Sequence, residues 1–321
     1  MQKLMLVAFA ATASTMLSTS LAKSKESFAE SFAIVTTARS DQLHLFAPIS
    51  VNGSKTEWFL VDTGAPLSLI SPSAQKALSL PEAKTHDNMT VTVTNVGKKL
   101  PLVYAQSIKS GDMELGPGYF VAESVEFSRE KTREARIPFD KEGLLGMNLL
   151  LKHGAVINCR TQQIFFSRQG SKLPLSGERY EKEWGYTSIP IRITPRGYIE
   201  VEGTVGDSTY SFVVDTGAFW TTLEPAIRNR QHLGYYRTRI GARLPYATGK
   251  TAPFTMTKVP GFKIGEQDVS NLIVGFSETY VGDLGLLHQY GGLIGADLLF
   301  KCHAIIDLGN RALYLMADKK K

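Results

Sequence analysis

One short pattern occurs twice in this chain, and the repetition constrains the fold more than any other feature. The segment FLVDTGAPLSLISP begins at residue 59, and FVVDTGAFWTTLEP begins at residue 212. Each is an apolar run that ends in Asp-Thr-Gly-Ala. An offset of 153 (215 minus 62) aligns Asp62 with Asp215 and Pro72 with Pro225. Two copies of one motif at this distance predict a duplicated structural unit.

The similarity between the two halves extends beyond the motif. GLLGMNLLLKHGAVINC from residue 143 aligns with GLIGADLLFKCHAIIDL from residue 292, which pairs Gly146 with Gly295. We therefore expect an N-terminal lobe at 43–166 and a C-terminal lobe at 198–315, each with one DTGA motif. A linker and an interlobe strand are predicted between them at 167–197.

Each unit is rich in short apolar segments bounded by turn residues. LHLFAPISV and EWFLVD in the first unit, and YIEVEGTV and YSFVVD in the second, have the composition of β-strands. Short helices are expected after the motifs, where Pro72 and Pro225 occupy a first helical position and Gly234 can end the second helix. A further helical turn is expected after Gly146 and Gly295. The predicted fold class is all-β with a few short helices.

Residues 1–22 have the features of a secretory signal peptide. Lys3 precedes a short apolar segment, and small residues precede the predicted cleavage site after Ala22. An uncleaved membrane anchor is the alternative, although the segment is shorter than the roughly 20 residues of a spanning helix. The mature chain is expected to be an exported monomer without a membrane span, in the periplasm, at the cell surface or outside the cell. It would carry an N-terminal extension at 23–42 and a basic tail at 316–321.

Charge and composition argue against other classes of function. The chain has 36 Lys and Arg residues against 30 Asp and Glu residues, but the basic residues are dispersed apart from the segment 228–243 and the tail. No nucleic-acid motif accompanies that segment, so a solvated loop is favoured and no nucleic-acid partner is expected. The GKT at 249–251 lacks the upstream Gly of a phosphate-binding loop.

The cysteines point to neither a metal site nor a disulfide framework. Cys159 and Cys302 are the two in the chain, and they form no CxxC pattern. A disulfide between them depends on geometry, so it stays open from sequence. No metal and no cofactor are expected.

The chemistry of the doubled motif follows from the position of its Asp. A carboxylate at the end of a buried strand is expensive unless it is compensated. Gly permits a tight turn that directs backbone amides at the carboxylate, and the Thr hydroxyl can donate to backbone across a pseudo-twofold interface. If Asp62 and Asp215 face each other at about 4 Å, they repel by roughly 4 kcal/mol at an effective dielectric of about 20. Such a pair retains one proton over a wide pH range, so one Asp could activate a water while the other polarises a carbonyl oxygen.

These residues resemble the retropepsin-like and pepsin-like aspartic proteases. The resemblance rests on the two DTGA motifs and on the elements LLG at 144–146 and LIG at 293–295, and it covers about Leu43 to Leu315. It implies a bilobal acid-protease fold of two pseudo-twofold-related, β-barrel-like lobes. It also implies an aspartic endopeptidase that hydrolyses polypeptide substrates with a water activated between Asp62 and Asp215, the catalytic pair.

The resemblance assigns supporting roles to further residues. Those of the active-site turns are Thr63, Gly64, Thr216 and Gly217; the glycines that thread beneath the turns are Gly146 and Gly295; and the possible flap residues are Gly97, Tyr246 and Gly249. Tyr104 is an alternative flap aromatic, and ordinary surface hairpins are the alternative to a flap.

Two details after the motifs bear on activity. Ala65 and Ala218 stand where pepsin usually has a hydroxyl residue, which leaves the carboxylates less acidic and predicts an optimum nearer about pH 5 to 6 than pH 2. Trp220 is expected to pack in the core rather than to line an apolar subsite. The alternative function is a catalytically inactive peptide-binding protein on the same fold.

Overall fold

The described residues of the computed structural model cover most of both lobes. They are 30–83, 91–92, 99–123, 142–168, 177–237, 242–243, 251–252, 255–276 and 290–316. The predicted signal peptide and the last residues of the basic tail lie outside this part of the chain. So do the flap candidates Gly97, Tyr246 and Gly249, whose roles stay predictions.

Short strands are the predominant secondary structure of the described chain. In the first half they are β1 (Phe32–Thr36), β2 (Ala38–Arg39), β3 (Leu45–Val51), β4 (Glu57–Val61), β5 (Leu69–Ile70), β6 (Val91–Thr92), β7 (Lys99–Leu100), β8 (Leu102–Ala105), β9 (Ile108–Ser110), β10 (Met113–Glu114), β11 (Gly118–Ala122), β12 (Gly143–Leu145), β13 (Val156–Asn158) and β14 (Gln163–Ser167). In the second half they are β15 (Tyr186–Pro190), β16 (Arg192–Ile193), β17 (Ile199–Val205), β18 (Ser208–Val214), β19 (Thr222–Leu223), β20 (Tyr236–Arg237), β21 (Ala242–Arg243), β22 (Thr251–Ala252), β23 (Thr255–Lys258), β24 (Lys263–Ile264), β25 (Gln267–Asp268), β26 (Ile273–Phe276), β27 (Gly292–Ile294), β28 (Ile305–Asp307) and β29 (Ala312–Met316).

The two lobes have main sheets with the same strand order. In the described part of the first lobe the order is β10, β9, β3, β4, β12, β5, β11, β8, with β2 beside β3. In the second it is β25, β24, β17, β18, β27, β19, β26, β23, β20, with β16 beside β17. The strand that leads to each Asp, β4 or β18, runs parallel to β12 or β27, which pairs antiparallel with β5 or β19. The parallel pairing places the end of β4 or β18, which precedes the Asp, beside the end of β12 or β27, which precedes Gly146 or Gly295.

A third sheet joins the lobes. Its described strands run in the order β1, β14, β13, β28, β29, β15, and the central antiparallel pair aligns Ile157 with Ile306. The sheet is symmetric about this pair, because β1 flanks the first lobe's hairpin as β15 flanks the second's. Strand β1 lies in the segment that the sequence assigns to an N-terminal extension, yet it is an integral edge strand of this sheet.

The helices are short and follow the glycine and proline signals. They are α1 (Pro72–Ala77), α2 (Met147–Leu150), α3 (Gly177–Trp184), α4 (Pro225–Arg230) and α5 (Ala296–Lys301). Ser71 caps α1 by accepting a hydrogen bond from the amide of Ala74 at 3.0 Å. The prediction that Gly234 ends α4 is wrong. The helix ends at Arg230, and the left-handed position that follows is taken by His232 at φ 50°.

Buried apolar side chains from both lobes and the joining sheet form one continuous core. Within it Cys159 and Cys302 are buried and not bonded to each other, so the structure lacks the disulfide that the sequence left open. Burial raises the pKa of the Cys159 thiol to about 12. None of the helices in the described ranges is both long enough and apolar enough to cross a membrane. The predominance of strands with a few short helices confirms the predicted fold class.

Candidate active site

The two Asp-Thr-Gly segments form equivalent turns at the boundary between the lobes. The first turn (62–64) follows β4, and the second turn (215–217) follows β18. The amide of Asp62 donates to the carbonyl oxygen of Leu145 at 3.0 Å, and the amide of Asp215 donates to that of Ile294 at 3.0 Å. The strands β12 and β27 therefore fix where each buried strand ends and its turn begins.

A reciprocal set of hydrogen bonds ties the two turns together. The Thr63 hydroxyl donates to the carbonyl oxygen of Val214 at 2.8 Å and accepts from the Thr216 amide at 3.0 Å. The Thr216 hydroxyl donates to the carbonyl oxygen of Val61 at 2.7 Å and accepts from the Thr63 amide at 3.1 Å. Both threonines are buried. Each hydroxyl thus satisfies one donor and one acceptor of the opposite lobe, and we call this set the interlobe grip.

The glycines of the turns make room for the opposite carboxyl group. A Cβ atom on Gly64 would lie 2.3 Å from Cγ of Asp215, and one on Gly217 would lie 2.5 Å from Cγ of Asp62. Carbon atoms without a bond between them do not approach so closely, so no side chain fits at either position. Each Asp therefore reaches across the lobe boundary and lies against the backbone of the other turn.

The two carboxyl groups are both buried but accept different numbers of amide hydrogen bonds. Asp62 accepts from the Gly64 amide at 2.9 Å, while Asp215 accepts from the amides of Gly217 at 2.8 Å and Ala218 at 3.1 Å. Burial, followed by the charge of Asp215, raises the pKa of Asp62 well above its ordinary value of 3.8. Burial also raises the pKa of Asp215, but its amide donors and a hydrogen bond from Asp62 oppose that rise. The second amide donor on Asp215 favours the ionised form there, and the weaker set of donors on Asp62 favours the protonated form there.

The predicted threading glycines lie directly beneath the turns. The amide of Met147, next to Gly146, donates to the carbonyl oxygen of Ala65 at 2.9 Å, and the amide of Ala296 donates to that of Ala218 at 2.8 Å. A Cβ on Gly146 would lie 2.6 Å from the carbonyl carbon of Leu67. A Cβ on Gly295 would meet the carbonyl carbon of Trp220, also at 2.6 Å. Backbone passes so close to backbone here that only glycine fits in either lobe.

A second layer of polar contacts supports each turn, and the sequence analysis missed it. In the first lobe the Asn148 carboxamide oxygen accepts from the amide and the hydroxyl of Ser68, each at 2.8 Å, and that hydroxyl accepts from Gly146 at 2.9 Å. In the second lobe the Asp297 carboxylate accepts from the amide of Thr221 at 2.8 Å and its hydroxyl at 2.7 Å. The signal that could have found them is their alignment at the offsets of the repeat.

The remaining site candidates lie at the edges of this arrangement. Trp220 is 36% exposed and stacks edge-on against Phe219 at 4.5 Å between ring centroids, so the expectation of a core residue is wrong. Tyr104 lies on β8 and packs against Tyr119, with 5.3 Å between the ring centroids. Over the described ranges no group of three or more His, Cys, Asp or Glu side chains is arranged to hold a metal ion.

The fold and the paired turns define a class of protein: two-lobed aspartic proteases. The family model described as "Aspartyl protease" matches twice, at 47–149 and 201–298, so each match contains one Asp-Thr-Gly turn. Together the matches cover more than half of the chain, which therefore belongs to the aspartyl protease family. The prediction of this family and of its bilobal β fold is confirmed.

Sequence identity to individual known proteins is low. Basic 7S globulin from soybean superimposes with a TM-score of 0.50 at 11% identity over 90% of this chain and 95% of its own, which supports the two-lobed fold. An aspartic proteinase from Irpex lacteus covers the same 90% of this chain and 98% of its own at 12% identity, with a TM-score of 0.47. A curated protein from Myxococcus xanthus, described as a phosphatidylserine decarboxylase proenzyme, is 24% identical over 42% of this chain. This chain spans half of that relative's length, 50%.

Proposed function

We propose that this protein is an aspartic endopeptidase that hydrolyses peptide bonds with a water molecule held between Asp62 and Asp215. The observation that carries the proposal is the pair of buried carboxyl groups, each lying against the glycine of the opposite turn and each with a raised pKa. An unpaired buried carboxylate would be a liability, whereas a pair with one proton offers an acid and a base within reach of one water. Membership of the aspartyl protease family supports a polypeptide as the substrate.

The asymmetry of the pair assigns the two roles. Asp215, which receives two amide hydrogen bonds, is the base that removes a proton from the water as its oxygen attacks the carbonyl carbon. Asp62 carries the proton and donates it toward the carbonyl oxygen, where negative charge develops. The tetrahedral intermediate then collapses: Asp215 gives the proton it took from water to the leaving nitrogen, the C–N bond breaks, and a hydroxyl of the intermediate returns a proton to Asp62 as the carboxylic acid forms. No further group is needed for the atoms and charges to balance.

The test is cleavage of an unfolded protein from about pH 3 to 8 by the chain that begins at Lys23. We expect a bell-shaped profile, because both protonation states of the pair are needed. Asp62→Asn and Asp215→Asn should each lower kcat/KM by roughly 1000-fold or more. Asp207→Asn is the matched control, because this exposed Asp lies in the turn between β17 and β18. It should retain wild-type activity.

Two results would overturn the proposal. One is cleavage that persists in either Asp→Asn variant, since the water would then be activated elsewhere. The other is a folded wild-type protein that cleaves nothing over the whole pH range. In that second case, binding of unfolded peptides by the inert protein would establish the peptide-binding alternative.

The mature protein is proposed to be an exported monomer. The support is the sequence of residues 1–22, with a basic start, an apolar segment and small residues before Ala22. N-terminal sequencing of the protein recovered from a secreting host should give Lys23 as the first residue. Sedimentation at equilibrium should give the mass of one chain. A protein that keeps Met1 and sediments with membranes would instead have an uncleaved anchor.

A further inference from the structure

The strand that carries each aspartate has two faces, and the aspartate projects from the face that lies away from the main core. Side chains two residues apart on a strand share a face. Along β18, Phe212 and Val214 belong to the main core, whereas Val213 belongs to a separate small cluster. Asp215 lies two residues beyond Val213, and its amide still pairs with β27. The carboxyl group of Asp215 therefore lies on the same face of the sheet as Val213.

Strand pairing identifies the other side chains on this face. In the second lobe the register brings together four residues, which we call the second-lobe wall: Glu200, Val213, Leu293 and Thr222. The equivalent pairs in the first lobe, on the face of Asp62, form the first-lobe wall: Phe46, Leu60, Leu144 and Leu69. Each wall thus borders one of the paired aspartates.

The two walls differ in polarity. All four side chains of the first-lobe wall are apolar and belong to one buried cluster. In the second-lobe wall Glu200 takes the position of Phe46, and its side chain is 5% exposed. A buried carboxylate costs free energy unless it is paired. The first lobe shows that an apolar side chain can fill this position in the same fold, so packing alone does not require Glu200.

The two oxygens of the Glu200 carboxylate have partners of different kinds. Tyr290, which is 8% exposed and belongs to the same cluster as Val213, donates its hydroxyl to Oε1 at 2.5 Å. Arg192 on β16 forms an ion pair with Oε2, and 74% of its side chain is exposed. Because most of the Arg192 side chain is already hydrated, its release costs little, and a second cation on Oε2 would keep the carboxylate paired. Oε2 therefore holds a cation that is exchangeable.

The register also fixes the distance between Glu200 and the paired aspartates. Glu200 is opposite Val213, so it is diagonal to Asp215 on the neighbouring strand. Diagonal neighbours on antiparallel strands lie about 7 to 8 Å apart, which is within reach of a long side chain. A peptide bond held between Asp62 and Asp215 would therefore place a neighbouring residue of the substrate beside Glu200.

We propose that the second-lobe wall is a subsite for a basic residue of a polypeptide substrate, Lys or Arg, next to the bond that is cleaved. The cation of that residue replaces Arg192 on Oε2 of Glu200, so the carboxylate exchanges one positive partner for another. The inference rests on the proposed function, in which that bond lies between Asp62 and Asp215. The first-lobe wall, which is apolar, takes an apolar residue on the other side of the bond.

The test compares peptides that differ by a single charge. Each is a decapeptide of Ala and Ser with Phe-Lys or Lys-Phe at its centre, because the walls do not fix the direction of the substrate chain. Norleucine replaces Lys in the matched peptides, since it keeps a linear side chain without the charge. For one of the two orders, kcat/KM should be roughly 10-fold or more higher with Lys than with norleucine, the scale of one charged hydrogen bond.

Variants of the wall test the carboxylate itself. Glu200→Gln, which keeps an oxygen for the Tyr290 hydroxyl, should lower the Lys-to-norleucine ratio to about one. Arg192→Ala removes the competing cation and should raise the ratio about threefold, whereas a purely structural ion pair would change stability and leave the ratio in place. Glu202→Gln is the matched control, because this exposed Glu lies on the same strand, and it should keep the wild-type ratio. The ratio is measured on one preparation, so it does not depend on the fraction of folded protein.

Binding separates this inference from the proposed function. Asp62→Asn, which should not cleave, is titrated with fluorescein-labelled forms of the same peptides, and fluorescence anisotropy gives each Kd. An inert wild-type protein that binds a Lys peptide roughly 10-fold tighter than its norleucine match, with the difference lost in Glu200→Gln, would overturn the peptidase and keep the subsite. An active protein that treats Lys and norleucine alike, or whose preference for Lys survives in Glu200→Gln, would overturn the subsite and keep the peptidase. A folded protein that neither cleaves nor binds these peptides would overturn both.

Discussion

The two lobes support their Asp-Thr-Gly turns with the same backbone path but with side chains of different polarity. Beneath the first turn the neutral carboxamide of Asn148 receives the hydrogen bonds of Ser68, whereas the carboxylate of Asp297 receives those of Thr221 in the second lobe. The position of the hydrogen-bond acceptor is the same in both lobes, but the acceptor is a neutral amide in the first and an ionisable carboxyl group in the second. A duplicated fold can therefore keep a symmetric frame and still give the two aspartates different surroundings.

A second pair of equivalent positions differs in the same direction. Phe46 pairs in register with Leu60 in the first lobe and is fully buried in an apolar cluster. Its counterpart Glu200, opposite Val213, accepts a hydrogen bond from the Tyr290 hydroxyl at 2.5 Å and forms an ion pair with Arg192. The strand position beside the second turn is thus occupied by a polar side chain, Glu200, while the equivalent position beside the first turn is occupied by an apolar one, Phe46.

The strongest disruption of the symmetric frame should come from the glycines of the turns. Gly64→Ala pushes a methyl group into the carboxyl of Asp215, and Gly217→Ala pushes one into that of Asp62. Displacing a reacting group by about 1 Å lowers activity by roughly 100-fold, so kcat/KM of both variants should fall at least that far. Gly234→Ala, at a glycine with open space around it, is the control. Full activity in either turn variant would contradict the close approach of carboxyl and backbone.

Loss of one hydroxyl from the interlobe grip should destabilise the protein equally from either lobe. Thr63→Val leaves the Thr216 amide and the Val214 carbonyl oxygen buried without their partner. Two such groups correspond to about 2 to 4 kcal/mol in the free energy of unfolding, measured by urea denaturation. Thr216→Val should lose the same amount, and Thr63→Ser, which keeps the hydroxyl, should lose much less. A large difference between the two valine variants would show that the grip is not reciprocal.

Exchanging the neutral support of the first lobe for a charged one should cost less. Asn148→Asp keeps an oxygen for Ser68 but removes the donor that bonds the carbonyl oxygen of Tyr119 at 3.1 Å. A carboxylate then faces a carbonyl oxygen, and about 1 to 3 kcal/mol of stability should be lost at neutral pH. Asn148→Gln would serve as an uncharged comparison in the same denaturation experiment. Equal stability of Asn148→Asp and wild type would mean that the polarity difference between the lobes is incidental.

The opposite exchange in the second lobe should give the smallest effect, and it should depend on pH. Burial raises the pKa of Asp297 above 3.8, so its contribution to stability is greatest when it is protonated and declines as pH rises through the raised pKa. Asp297→Asn keeps an acceptor for Thr221 and cannot ionise. Its stability relative to wild type should therefore increase from about pH 4 to pH 7, by on the order of 1 kcal/mol. Thermal melts across that range would measure it, and a difference that is constant with pH would count against the argument.

Much of the fold and of the site could be predicted because both copies of the repeat carry the same residues at the turn. Asp, Thr and Gly recur at one offset in both copies, and their roles depend on backbone geometry that the residue types themselves demand. The helices after Pro72 and Pro225 were likewise predictable from the proline at the first helical position. Local chemistry that is the same in both copies is therefore visible in one sequence.

The missed features depend on contacts between distant segments. The hairpin between β2 and β3 and the hairpin between β16 and β17 close with matching hydrogen bonds, yet they end in different residue types, His44 and Tyr198, so their equivalence is hidden in the sequence. Asn148 and Asp297 align at the offset of the repeat, but the alignment alone does not show that both accept hydrogen bonds from the segment after the turn. The prediction that α4 ends at Gly234 was wrong because His232, which is not a glycine, adopts the left-handed conformation after the helix. Tertiary structure overrode a local preference there.

The reciprocity of the interlobe grip has a consequence for how activity arises during folding. Each threonine hydroxyl completes its bonds with backbone groups of the other lobe. A chain with one lobe folded therefore has a turn whose polar groups face no partner and whose carboxyl has no neighbour with which to share a proton. Hydrolytic competence would appear in a single step, when the last lobe closes. A truncated chain with only one lobe would therefore lack the paired carboxyl groups and would have no partial activity.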